Sequence, residues 1–156
     1  MEKTSLEFVA RLRKVIRIIS YSELVGIVLA VLMKLQHLQG ADTVLMLSMS
    51  LLAGVAFLKA YIPTDVKEDL KPDLYATVIS KVLFIGSSVL IIGIMFSFLR
   101  LQGAINMLMI GTATTGMAAV FSIILITKNS DNIPLLKEPL MWGIATLLFA
   151  GLLMIR

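Results

Sequence analysis

Apolar positions fall into five long runs, at about 15–36, 43–62, 75–99, 104–127 and 140–155, with short polar breaks between them. None of the runs alternates polar and apolar residues in the two-residue period of a lipid-facing barrel strand. A hydrocarbon layer about 30 Å thick takes roughly 20 helical residues, within a range of about 17–25. All five runs fit that length, the fifth at its short end. Backbone groups cannot stay unpaired in lipid, so a spanning segment outside a barrel must be helical. The pattern predicts an all-α, polytopic membrane protein with five transmembrane helices.

The breaks are small. His37-Leu38-Gln39-Gly40-Ala41-Asp42 and Arg100-Leu101-Gln102-Gly103 read as tight turns joining antiparallel helices. Pro63 is expected to close the second helix, because proline disfavours helical geometry in the residue before it. Residues 65–73 form the longest polar connection and 129–139 the next, and neither is long enough for a domain outside a membrane. The expected organisation is one membrane domain over 1–156: a hairpin at about 12–62, another at about 75–127, and a fifth helix at about 140–156. The first run carries Glu23 and lacks a small-x-small cleavage pattern near its end, so it is expected to be an uncleaved helix.

Composition sharpens this reading. The chain is 58% hydrophobic and only 15% charged, with a mean hydropathy of +0.95. Soluble domains run at about 45–50% apolar and about 25% charged. A soluble enzyme, a disordered chain and a nucleic-acid reader are therefore excluded. The absence of cysteine excludes disulfides, thiolate nucleophiles and Cys zinc or iron–sulfur sites.

The net charge of +4 is a topology signal. Eleven basic residues fall on one side of the predicted layer: Lys3, Arg11, Arg13, Lys14, Arg17, Lys59, Lys67, Lys71, Lys81, Lys128 and Lys137. Lys34, Arg100 and Arg156 fall on the other. Positive charge stays inside, so the N-terminus is expected in the cytoplasm and the C-terminus in the periplasm. Tyr61, Tyr75 and Trp142 then lie at the cytoplasmic interface, where aromatic belts sit. The Arg11-Leu12-Arg13-Lys14 cluster is expected to meet anionic headgroups.

A shift of 63 residues lays one hairpin on the other. Leu38-Gln39-Gly40-Ala41 falls on Leu101-Gln102-Gly103-Ala104, Leu45-Met46 on Leu108-Met109, and His37 on Arg100. The offset spans two helices, so the two tandem copies are expected to run parallel, about an axis near the membrane normal. Turns this short need residues that accept positive φ or close backbone approach, which Gly40 and Gly103 supply.

In the first turn, Lys34-x-x-His37-x-x-Gly40-Ala41 followed by Leu45 resembles the hairpin of the GldL-like membrane proteins of gliding motility and type IX secretion. The resemblance covers about residues 26–58 and, more weakly, 89–121. It implies a bacterial inner-membrane hairpin that oligomerises, and in the motor protein itself one that couples ion flow to a periplasmic partner. This chain has Leu38 and Gln39 where the motif has Trp and Pro. It also has Leu52 and Thr115 where the motor carries an acid. The resemblance thus implies a hairpin type without an energised motor.

Glu23 is the costly residue of the first run. It lies six residues past Arg17, roughly 9 Å along a helix. A carboxylate at that depth is expensive, about 2–3 kcal/mol or more, and intramembrane acids are functional hypotheses by default. Ser20, Gly26 and Ile27 share its helix face. Gly86, Ser87 and Ser88 fall at a similar depth in the second hairpin, and the hydroxyls of Ser87 and Ser88 suit a protonated Glu23. The plainer reading pairs Glu23 with Arg17, Lys81 or a neighbouring subunit, fixing packing only.

The segment Ser22-Glu23-Leu24-Val25-Gly26, with Tyr61-Ile62-Pro63-Thr64, also resembles the small multidrug resistance transporters, whose first helix carries a proton- and drug-binding glutamate. That resemblance implies proton coupling through Glu23. The aromatic-rich third helix of that family is absent here.

The remaining polar residues read as structural. Lys81 is expected to snorkel to the interface on its long stem. His37 is the single histidine and belongs to a turn, so no cofactor and no metal is expected. Gly111/Thr115, Thr112/Gly116 and Ser50/Gly54 are small-xxx-small pairs that let helices approach closely, as Gly26 does on the first. No phosphate loop, Ser/His/Asp set or paired carboxylate appears, so no enzymatic activity is expected.

The expected function is that of a structural or accessory subunit. It would self-associate or pack into a larger membrane complex through transmembrane helices, with the lipid bilayer and other helices as partners and no nucleic acid. The alternative is a small proton- or ion-coupled transporter using Glu23.

Overall fold

The computed structural model describes residues 2–62 and 73–154, with the backbone alone at residues 2–10, Arg13, Arg17 and Leu24. Five α-helices account for most of it: α1 (Glu2–Leu35), α2 (Ala41–Lys59), α3 (Leu74–Phe98), α4 (Ala104–Lys128) and α5 (Ile133–Met154). A single 3-10 turn, Ser130–Asn132, links α4 to α5. All five helices are long and apolar enough to cross a membrane, by length and composition.

Three boundaries differ from the sequence pattern, each for a local reason. The first helix starts at Glu2, well before the apolar run at 15. Residues 2–17 contain no Gly or Pro and are rich in Glu, Leu, Lys and Arg, which propagate a helix well. The second helix ends at Lys59, short of residue 62, while Pro63 and most of the 65–73 connection lie outside the described residues.

The largest correction concerns residues 129–139, which are a break only as far as Asn132. Pro134 sits in the first turn of α5, where its missing N–H has no intrahelical partner to lose. Pro139 is held inside the helix and is buried. Its ring leaves the Leu135 carbonyl without the usual intrahelical donor.

The two tight turns share one geometry. Both α1 and α3 close with a positive-φ residue, His37 and Arg100, each at φ 54. The Leu38 amide donates to Met33 O at 2.9 Å and the His37 amide to Lys34 O at 3.2 Å. In the second turn Leu101 donates to Phe96 O at 2.9 Å and Arg100 to Ser97 O at 3.2 Å. This paired pattern is the Schellman closure, which satisfies the last carbonyls of a helix. Gly40 and Gly103 then open α2 and α4 at φ 86, a region that glycine enters without steric penalty.

Helix α3 is the hub, packed against α2, α4 and α5, whereas α1 packs on α2. The main apolar core joins Leu45, Met49, Leu52, Leu90, Ile91 and Met95. Close approach is set by glycine. A Cβ on Gly111 would fall 3.0 Å from Leu90 N, one on Gly93 3.0 Å from Leu108 N, and one on Gly86 2.5 Å from Thr115 Oγ1. The same device brings α1 to α2, where a Cβ on Gly26 would fall 2.5 Å from Ser48 Oγ.

The interior is mainly apolar but also holds a set of hydroxyls, and the outside, unlike that of a soluble bundle, is covered by large apolar side chains. Ser20, Ser48, Ser80, Ser87, Ser122 and Thr115 are buried inside. Large apolar side chains such as Tyr21, Val28, Leu47, Met117, Ile124 and Leu148 are exposed outside.

Candidate functional site

Glu23 is the one carboxylate among the buried residues described, at 9% exposure. It belongs to the α1 stripe Ile16, Ser20, Glu23 and Ala30, the buried side of the helix. Gly26 against Ser48 and Lys34 against Asp42 fix the antiparallel register of α1 on α2. That register carries Glu23 to the level of the buried Leu52, seven residues from the Lys59 end of α2, or about 10 Å. The side chain of Arg17, expected as a partner, lies outside the described residues.

The serines assigned to the same site turn elsewhere. Ser20 Oγ donates to the Ile16 carbonyl at 2.8 Å, within its own helix. Ser88 Oγ donates to Ala53 O at 2.9 Å and so stitches α3 to α2. Ser87 faces the opposite way, with its Oγ 4.0 Å from where a Cβ on Gly143 of α5 would stand. Among the described residues no hydrogen bond joins Glu23 to Ser87 or Ser88.

Of the packing residues, Gly26, Gly111 and Thr115 are at tight helix crossings. Thr115 is fully buried beside Gly86 and Gly143. Gly54 and Gly116 are not at a crossing within the chain, since open space surrounds a Cβ on either. Ser50 is exposed and its Oγ lies 3.5 Å from Met95 Sδ. Ser87, Thr112 and Thr115 each keep a buried hydroxyl without a partner among the described residues.

Polar contacts concentrate at the two ends. At one end Lys34 Nζ reaches Asp42 Oδ1 at 2.8 Å and the Phe98 carbonyl at 2.9 Å, tying the two turns together. His37 and Arg100 are exposed beside it. At the other end Lys59 Nζ meets Glu138 Oε1 at 2.6 Å and lies 5.0 Å over the Trp142 ring. Asp42 and Lys59 are 17 residues apart on α2, about 25 Å along the axis. Lys81 is exposed on α3, and Tyr61 and Tyr75 are exposed near the Lys59 end.

The Lys59–Glu138–Trp142 cluster is not visible in the sequence pattern. Glu138 and Trp142 are one helical turn apart only if the helix already includes residues 138 and 139, and Pro139 masks that. The cluster is completed by a residue 79 positions away, which no local signal indicates. Among the described residues, no group of three His, Cys, Asp or Glu side chains converges to hold a metal ion. Comparison with family models, curated proteins and solved structures found no match.

Proposed function

We propose that this chain is a non-enzymatic integral protein of a bacterial inner membrane, with a cytoplasmic N-terminus, acting as a structural or accessory subunit. Its apolar outer surface carries the reading. Hydroxyls sit inside the bundle and large apolar side chains cover its outside, an arrangement that water penalises and hydrocarbon favours. The polar clusters at Lys34 and Lys59 lie about 25 Å apart along α2, close to the roughly 30 Å of a hydrocarbon layer.

On this reading α1–α2 and α3–α4 are one hairpin used twice, of the GldL-like type. Support comes from the two turns, which share residue spacing, positive-φ positions and hydrogen bonds. The connections leave little backbone outside the layer to bind a soluble partner, so partners are recognised helix to helix. Glu23 acts as a fixed polar element of the α1–α2 contact, since it is buried level with Leu52 and Ser20 on its own face is committed to the Ile16 carbonyl.

The test is reconstitution of wild type and Glu23→Gln in liposomes under a proton gradient, with assembly followed in parallel by native mass spectrometry. We expect no proton flux above empty liposomes from either protein. Flux that wild type carries and Glu23→Gln abolishes, with assembly intact, would establish a transporter instead.

A further inference from the structure

The helices fall into two groups. Helices α3, α4 and α5 pack on one another, and α1 packs on α2. Among the described residues, α2 on α3 is the one extensive helix packing that crosses between the groups. The three-helix group is fastened along the length of α5. Asn132 ties its start to the Asp73 amide and the Leu125 carbonyl. Gly143 seats it against Leu83 and Thr115, and Phe149 stacks on Phe98 at 6.1 Å.

Three hydrogen bonds to oxygen join the α1–α2 hairpin to that group among the described residues, and they are of two kinds. Lys34 Nζ donates to the Phe98 carbonyl and Ser88 Oγ to the Ala53 carbonyl, each at 2.9 Å. The Met95, Phe96 and Ser97 carbonyls already take turn amides, which leaves Phe98 O for Lys34. Ser88 is buried, so no water competes for the Ala53 carbonyl. Both bonds end on backbone and mark two points of an axis along α3. The third bond runs from Lys59 on α2 to Glu138 on α5 at 2.6 Å, between helices that share no extensive packing. The same ammonium stands 5.0 Å over the Trp142 ring. Glu138 is 51% exposed, so water competes for it and the pair can part without stranding a buried group.

We propose that the α1–α2 hairpin is a hinged element, held on α3 by Lys34 and Ser88 and latched to α5 by Lys59. Release of Lys59 from Glu138 swings the hairpin about the α3 axis and carries the Lys59 end of α1 away from α5. Helix α5 stays in place, because Asn132, Gly143 and Phe149 hold it to α3 and α4. Helix α1 moves with α2, because Gly26 sets it tightly against Ser48.

Spin labels on introduced cysteines test this in the full chain, held in lipid nanodiscs and measured by pulsed electron paramagnetic resonance. Ile18→Cys with Met141→Cys reports across the latch, and Ile124→Cys with Met141→Cys reports within the three-helix group. All three positions are exposed. Each pair is measured with Lys59 and Glu138 intact, in Lys59→Gln and in Glu138→Gln. Both latch variants should lengthen the 18–141 distance by about 4 Å and leave the 124–141 distance unchanged. That shift is a rotation of about 15° on an arm of about 15 Å, one and a half interaxial spacings. An 18–141 distance that does not lengthen in both variants overturns the proposal. Equal lengthening of both pairs also overturns it, since α5 would then be the element that moves.

Discussion

His37 and Arg100 hold a backbone conformation that L residues avoid at a cost of about 1–2 kcal/mol, and both sit at the close of a helix. Gly40 and Gly103 show the same demand met without strain, since each has φ 86 and open space where a Cβ would stand. Gly40→Ala and Gly103→Ala should each destabilise by about 1 kcal/mol, through backbone strain alone. Gly54→Ala is the control: it has equally open space but an ordinary helical backbone, and gains up to about 1 kcal/mol of helix propensity. Thermal unfolding in mild detergent separates the two outcomes. A lowered midpoint for Gly54→Ala, or none for Gly40→Ala, would refute this account of the turns.

A second contrast at this scale concerns Gly111 and Gly116 on α4. A Cβ at Gly111 meets the Leu90 backbone at 3.0 Å, so α3 must move, and overpacking of this kind costs about 1–3 kcal/mol. Gly116→Ala meets nothing within the chain. The same unfolding assay should therefore show a lower midpoint for Gly111→Ala only. A loss at Gly116→Ala restricted to an assembled state would instead place an intersubunit contact there.

Among the elements, α5 depends most on what lies beside it. Asn132, at 1% exposure, accepts from the Asp73 amide at 3.3 Å and donates to the Leu125 carbonyl at 3.4 Å. One side chain thus joins the start of α3 to the end of α4 as α5 begins. Asn132→Ala takes away the acceptor of the Asp73 amide and one of the two donors to the Leu125 carbonyl, which keeps the Asn129 amide, and should cost about 1 kcal/mol, read as a lowered unfolding midpoint. Retention of wild-type stability would show that those groups find other partners.

The elements also show what the sequence made legible. Three of the five apolar runs, those of α2, α3 and α4, match their helices to within about three residues at both ends, because hydrophobic length and Gly turns are local signals, whereas α1 begins well ahead of its run. The start of α5 was hidden, since Pro134 and Pro139 punctuate a chain locally while their tolerance in a helix depends on position and burial. Glu23 was legible as a buried acid. The partners assigned to it were not, because depth from a turn says nothing about which side of a helix faces which neighbour. Ser88 turns to α2 and Ser87 to α5 for that reason. Lys59 and Glu138, 79 residues apart, meet only through the packing of the whole bundle.

At the scale of the whole molecule, the account is of two like hairpins and a fifth helix, apolar outside and hydroxyl-lined inside, in a membrane. It requires both tight turns to lie on the same face of the bilayer and the Lys128 end of α4 on the other. The chain has no cysteine, so single cysteines can be introduced without background. Gln39→Cys and Gln102→Cys sit in exposed turns, and Asn129→Cys sits at the exposed end of α4. The most direct measurement is labelling of these variants in intact cells with a membrane-impermeant maleimide. Gln39→Cys and Gln102→Cys should label from outside, and Asn129→Cys only after permeabilisation. Labelling of the two turns from opposite sides, or of Asn129→Cys from outside together with them, would contradict the account.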